Sequence, residues 1–344
     1  MIAKVWAEKL GIDNIGIYDN FFDLGGHSLT AVKVIVQIKK LSGKYLPLGT
    51  LIKYPTIARL AEALANEIND ISTKCLVPLK PGGSKPPLYI VHGLGSTVFK
   101  FYDLAHQLDA DQPVFGFQAK GLDGLDQPAE SIEDMASQYI KELLEYDSLG
   151  PYNLSGYSFG GIVAFEMSKQ LKSLGKEVNI LALFDSFLIE HEQMDAGIKK
   201  NLVKYLSRIK KFLFTFKLLV SRPKRTIDHK LFTIKRQLNT LLGRKIGNEV
   251  GLDDNFDQIG KMMSVHRHVK STYRLKKQDL TIHLFKANIN ATYLDDFQYL
   301  GWKPFASQVI IHEIEGDHIE IFEPGINLRF AKSLQTLLNS TDSK

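Results

Sequence analysis

From Pro87 onward the chain repeats one unit: a short apolar run, a glycine turn, and a stretch with helical periodicity. PLYIVHGLGS, PVFGFQAKG and YNLSGYSFGG each close on glycine. The last feeds IVAFEMSKQLKSLGK, whose apolar positions Ile162, Phe165, Met167 and Leu171 leave the charges mostly on one side. NILALFD and LTIHLFKAN continue the series and QVIIHEIEG closes it. Strands that alternate with helices imply a mostly parallel sheet with helices on both faces. The expectation is an α/β domain over residues 87–341.

At 344 residues the chain is long enough for that domain and one smaller core beside it. Residues 1–70 read as helical throughout, with short loops and no convincing alternation. The run ISTKCLVPLKPGGSKPP that follows concentrates Pro, Gly and Ser, so residues 71–86 are read as a linker. A second interruption, at about 188–261, breaks the strand and helix alternation with two long helical patterns and is read as an insertion. Between Ile198 and Ile246 it holds 15 Lys and Arg against the single acid Asp228, which leaves −9 for the rest of a chain whose total is +5. One face of its first helix collects Leu202, Tyr205, Leu206, Ile209, Phe212, Leu213 and Phe216, the other Lys and Arg, and Pro223 is expected to separate it from the next helix. The simplest reading of that stripe is a packing face, with the charges in solvent; the sharper alternatives are contact with an acidic or lipidated peptide, or with an anionic membrane surface. Nucleic-acid binding is disfavoured, because the remainder is acidic and no basic platform interleaved with aromatics is present. No apolar run reaches the length of a membrane span, no export signal is visible, and the lone Cys75 fits a reducing compartment, so the expected location is cytoplasmic.

GYSFGG at 156–161 fits G-x-S-x-G between a strand and a helix, where a sharp turn lifts a serine hydroxyl above the sheet; Ser158 is therefore the nucleophile candidate. A serine needs a base, and in hydrolase chain order the histidine comes last, after the acid. His283 and His312 lie in strand patterns, His266 and His268 near the end of the insertion, and His92 ahead of the serine, which leaves His318 in the loop EGDHIEIFEP. Asp185, at the end of NILALFD, is the expected acid, with Asp295 and Asp296 as alternatives. The oxyanion donors are expected to be the backbone N–H of Phe159, after the nucleophile, and that of Leu94 in VHGLGS. No metal ligand is assigned.

The stretch DNFFDLGGHSLTAVKVIVQIKK, with PTIARLAEAL after it, resembles the peptidyl carrier domains of nonribosomal peptide synthetases. The resemblance covers the first 70 residues and implies that Ser28 carries a covalent 4′-phosphopantetheine. Ser28 also opens a helical pattern, where a phosphodiester meets free N–H groups and the positive end of the helix dipole. Residues 87–338 look like the type I thioesterase that ends such assembly lines. Together these imply a small all-α helical bundle followed by an α/β-hydrolase fold with an inserted helical lid. The implied reaction moves a peptidyl or lipopeptidyl chain from the carrier thiol to Ser158 and releases it by hydrolysis or macrocyclisation. The implied partners are upstream condensation and adenylation domains and a phosphopantetheinyl transferase. Two other readings stand beside it: acyl transfer to an external alcohol or amine, which uses the same residues, and a carrier and docking platform whose hydrolase domain is inactive.

Overall fold

A computed structural model describes residues 1–26, 28–44, 46, 49–65, 75–95, 97–121, 126–194, 197–221, 253–290, 293–323 and 325–340. The first segment forms helices α1 (Ile2–Leu10), α2 (Ser28–Ser42), α3 (Thr50–Lys53) and α4 (Ile57–Ala65). Their apolar positions meet because helical spacing puts Val5 and Trp6 of α1, Val34 and Ile38 of α2 and Leu60 of α4 on inward faces, all buried. Trp6 meets Phe21 edge to face, with ring centroids 5.0 Å apart.

The rest is built on a seven-stranded sheet: β1 (Leu76–Lys80), β2 (Leu88–Val91), β3 (Val114–Phe117), β4 (Tyr152–Tyr157), β5 (Val178–Phe184), β6 (Thr281–Ile289) and β7 (Gln308–Asp317), in spatial order β1-β3-β2-β4-β5-β6-β7. Among the described residues, only β1 runs antiparallel to its neighbour. The helices are α5 (Tyr102–Gln107), α6 (Ile132–Tyr146), α7 (Phe159–Ser173), α8 (Glu190–Gln193), α9 (Ile198–Ser221), α10 (Asp253–Thr272) and α11 (Ile326–Asn339). Strand pleating sorts the core into two layers: Leu88 and Ile90 join α5 and α11 on one face, while Tyr89 and Val91 join α6 and α7 on the other. The expected fold class, an all-α bundle followed by a mostly parallel α/β sheet with an insertion, is what the chain forms.

Four readings need correction. The stretch read as a linker, 71–86, contains β1, whose Val77 and Leu79 are buried. Its turn-rich composition hid a five-residue alternation, and an edge strand tolerates Pro78 because only one of its sides pairs. The insertion does not end near Lys261, since α10 continues to Thr272 and buries Val269, with Tyr273 just beyond its end, against the sheet layer of α6 and α7. Helix α7 is not amphipathic in situ: it is buried nearly all round, and even Glu166 is inside, bonded to Lys169, Gln170 and Tyr273. Finally, the apolar stripe of α9 is not a packed face among the described residues, where its members range from 44% exposed at Ile209 to 70% at Phe212. Periodicity shows a face fit for burial without naming what buries it. The side chain of Phe216, the expected second basic helix and Pro223 lie outside the described residues.

The helical bundle rests on the α/β unit beside the loop after β2. Phe22 stacks on Tyr102 with centroids 3.8 Å apart and 21° between planes, and lies 6.0 Å from Phe99. Asn20 donates through Nδ2 to the Tyr102 hydroxyl at 3.3 Å. An aromatic pair of this kind contributes about 0.5–1.5 kcal/mol beyond its buried area.

Candidate active site

Ser158 stands between β4 and α7 with φ 55° and ψ −116°, a positive-φ conformation outside the left-handed helical well that a non-glycine residue holds at a cost of about 1–3 kcal/mol. The turn closes only because its neighbours are glycines: a Cβ on Gly156 would collide with the Gly160 carbonyl, and one on Gly160 with the carbonyls of Val91 and His92. The Ser158 N–H donates to the Phe184 carbonyl at 3.0 Å, and the Ser186 hydroxyl donates to the Ser158 carbonyl at 2.7 Å. Both bonds tie the elbow to the end of β5. Phe159 is the first residue of α7, so its N–H has no intrahelical acceptor.

Asp185, at the end of β5, also takes a positive φ, 43°, and is 4% exposed. Its Oδ1 accepts from the Ala287 N–H at 2.9 Å and its Oδ2 from His318 Nδ1–H at 2.7 Å. The candidate acid and base thus meet across 133 positions of sequence. The alternative acids are engaged elsewhere. Asp296 accepts from the backbone N–H groups of Gln298, Tyr299 and Gly301, and Tyr293 donates its hydroxyl to Asp295.

His318 is held on its other sides by Tyr157, whose ring stacks on the imidazole at 4.9 Å and whose hydroxyl donates to the His318 carbonyl at 2.8 Å. Phe187 meets the imidazole edge to face at 5.5 Å. Burial and the nearby Asp185 carboxylate raise the Tyr157 phenol, which keeps it a neutral donor. Over the Tyr157 ring, 4.2 Å from its centroid, lies the ammonium of Lys100, pushed down to about 8 by burial. Among the described residues no hydrogen bond links Ser158 Oγ to His318; such contacts commonly tighten only in the complex.

The loop after β2 places Leu94 partly buried beside Gly93 and Gly95. Sequence reasoning set His92 and His266 aside, and the structure buries both against this loop, with His266 stacked on Phe159 at 4.8 Å. No sequence signal marks His266, because its partners come from the loop after β2 and from α7. Tyr157 and Lys100 were missed for the same reason. His283 and His312 sit on neighbouring strands, bonded to each other at 3.1 Å.

Residues 86–330 match the family model described as thioesterase domain, and residues 2–64 match the one described as phosphopantetheine attachment site. The chain is 31% identical over 330 residues to the probable nonribosomal peptide synthetase CymA of Salinispora arenicola, covering 94% of this chain and 4% of that one. It is 37% identical over 187 residues to a dimodular nonribosomal peptide synthase of Bacillus subtilis, covering 54% of this chain and 8% of the relative. Among solved structures it resembles holo-AB3403, a four-domain nonribosomal peptide synthetase, with a TM-score of 0.60 and 27% identity over 97% of this chain and 25% of that one. The chain therefore spans a small part of the length of these relatives. With a match running through most of its length, this chain belongs to the thioesterase domain family, preceded by a phosphopantetheine attachment domain.

Proposed function

We propose that this chain terminates peptide assembly: Ser158 takes the peptidyl group from a thioester on Ser28, and His318, oriented by Asp185, drives transfer and release. The observation that carries the reading is the 2.7 Å bond between Asp185 and His318 beside a serine at a strained strand-to-helix turn. That intact pair also speaks against an inactive docking platform.

The amino-terminal residues fit 4′-phosphopantetheine. Ser28 is the first residue of the 15-residue α2, whose first turn carries no acid, so a phosphodiester there meets the N–H groups of that turn and no repelling carboxylate from it. Two positions before it, Gly26 packs so closely on Phe21 that a Cβ there would collide with the ring and backbone. When bound, the group supplies a flexible tether ending in a thiol that presents the acyl chain as a thioester. Tethering through a short flexible linker gives an effective concentration of about millimolar, so the small contact of Phe22 and Asn20 with Tyr102 suffices for docking.

In the acylation step His318 Nε2 takes the Ser158 Oγ proton as Oγ forms a bond to the acyl carbon. The carbon–sulfur bond then breaks and His318 returns the proton to the leaving group. The Asp185 carboxylate holds Nδ1–H and stabilises the imidazolium in between. The N–H groups of Phe159 and Leu94 receive the oxyanion; losing one such donor typically costs about 3–4 kcal/mol. Release reverses the proton path: water yields the acid, and an internal amine or hydroxyl yields a ring. Upstream condensation and adenylation domains supply the peptide, a phosphopantetheinyl transferase installs the arm, and the cytoplasm is the compartment that supports both.

The test is intact-protein mass spectrometry after a phosphopantetheinyl transferase loads an acyl-pantetheine onto wild type, Ser28→Ala and Ser158→Ala. Ser28→Ala stays unloaded, Ser158→Ala retains the acyl mass and wild type sheds it. Equal shedding by Ser158→Ala would end the proposal.

A further inference from the structure

Two histidines with no part in the proposed proton path fix the peptide planes on either side of Leu94. His92 Nδ1 lies 2.7 Å from the Gly93 carbonyl, which can only accept, so Nδ1 carries the proton and Nε2 accepts from the Tyr139 hydroxyl at 2.8 Å. Gly93 O and Leu94 N–H belong to one planar peptide unit, so holding the oxygen aims the N–H away from His92. The next unit is held from the insertion: Gly95 N–H donates to His266 Nδ1 of α10 at 3.1 Å. His266 therefore carries its proton on Nε2. Its ring lies parallel to Phe159, 7° between planes at 4.8 Å, and stacks on His92 at 5.1 Å. Next to it in α10, Met263 packs so close over Gly95 that a Cβ there would collide with it, and Met262 is buried against Ala119.

His266 is 0% exposed, and its Nε2–H has no hydrogen-bond partner among the described residues. A buried, unsatisfied donor costs about 1–3 kcal/mol, an expense a phenylalanine in the same stack would avoid. What phenylalanine cannot do is accept from Gly95. Burial pushes His266 down to about 2 and His92 to about 4, so both are neutral at ordinary pH and His266 Nδ1 keeps its lone pair.

We infer that His266 is a positioning residue for the oxyanion hole, so that seating α10 on the loop after β2 and aligning the Leu94 and Phe159 donors are one event. The inference rests on the reading of those two N–H groups as the donors. It makes the insertion part of the catalytic geometry: with α10 lifted, the Leu94–Gly95 unit loses its anchor and Phe159 its stacking partner. Displacing a catalytic group by about 1 Å can cost about 100-fold in rate.

The test compares His266→Asn, whose Oδ1 can accept near the position of Nδ1, with His266→Phe, which keeps the stack and loses the acceptor. In the full chain, turnover of a soluble N-acetylcysteamine acyl thioester is measured, with inhibition by an acyl-chain boronic acid whose serine adduct places an oxygen in the hole. His266→Phe lowers kcat about 100-fold with KM within about twofold and weakens the boronate in parallel, while His266→Asn stays within about fivefold of wild type. Wild-type kcat and boronate affinity in His266→Phe, or equal losses in both variants, would overturn the inference. Ser158→Ala in the same assay separates the two levels: if it still turns over, the active-site reading itself fails. Should His266→Phe not fold, nitrogen-15 NMR of histidine-labelled wild type decides, since His266 must hold its proton on Nε2 and His92 on Nδ1, and the opposite tautomer at His266 refutes the brace.

Discussion

Asp185→Asn is the sharpest perturbation of the proposed centre, because it changes one atom and leaves the packing alone. Asp185 uses Oδ1 for the Ala287 N–H at 2.9 Å and Oδ2 for His318 Nδ1–H at 2.7 Å. An asparagine keeps the first bond with its oxygen, which turns its amide donors toward His318. Nδ1 must then give up its proton and accept, so the proton moves to Nε2, the nitrogen that has to receive the Ser158 proton. The wrong tautomer and the loss of a buried carboxylate beside the imidazolium together lower kcat by about 10⁴-fold, or about 5.4 kcal/mol at 1.36 kcal/mol per decade. Since the Ala287 N–H stays satisfied, the thermal midpoint should move little. The assay is single-turnover release from an acyl-loaded carrier, with Asp295→Asn and Asp296→Asn alongside, which should keep kcat within a few-fold. If Asp185→Asn retains kcat within tenfold of wild type, or if Asp295→Asn or Asp296→Asn suffers the large loss instead, the assignment of the acid is wrong.

Other consequences follow from contacts away from the proposed triad. Phe22→Ala removes the stack on Tyr102 and should slow release from the tethered carrier by about 2–10-fold, the equivalent of 0.5–1.5 kcal/mol, while turnover of a soluble thioester is little affected; single-turnover and steady-state assays give the two numbers. Phe212→Ser, on the exposed stripe of α9, should change unfolding free energy by no more than about 0.5 kcal/mol in denaturant titration, whereas a packed face would lose several-fold more. Lys100 sits at about 8 in the folded chain against an ordinary 10.5, so between those values the unfolded chain binds more protons and stability rises with pH. Lys100→Met should therefore stabilise the fold at pH 7, and its advantage over wild type should shrink toward pH 10, as thermal unfolding of both chains across that range would show.

The features legible in the sequence are those written at short range. The strand and helix units after Pro87 are readable because side-chain periods of 2 and 3.6 record which face is buried. The turn at Ser158 is readable because its glycines sit within three positions of it. Where a local pattern had two meanings, reading failed: Pro78 and its neighbours signal a turn, yet β1 runs through them, and the stripe on α9 signals a packed face, yet it lies open among the described residues.

By itself the sequence determined the two-part organisation, the α/β alternation and the short list of residues able to do acyl chemistry, since backbone preference and amphipathic period act over a few neighbouring residues. Only the tertiary structure decided which carboxylate meets His318, that Phe22 docks on Tyr102, and that His266 reaches Gly95 from 171 positions away. Those contacts depend on where the sheet ends its strands and how the insertion folds back over it, and no local preference along the chain encodes the distance between such residues.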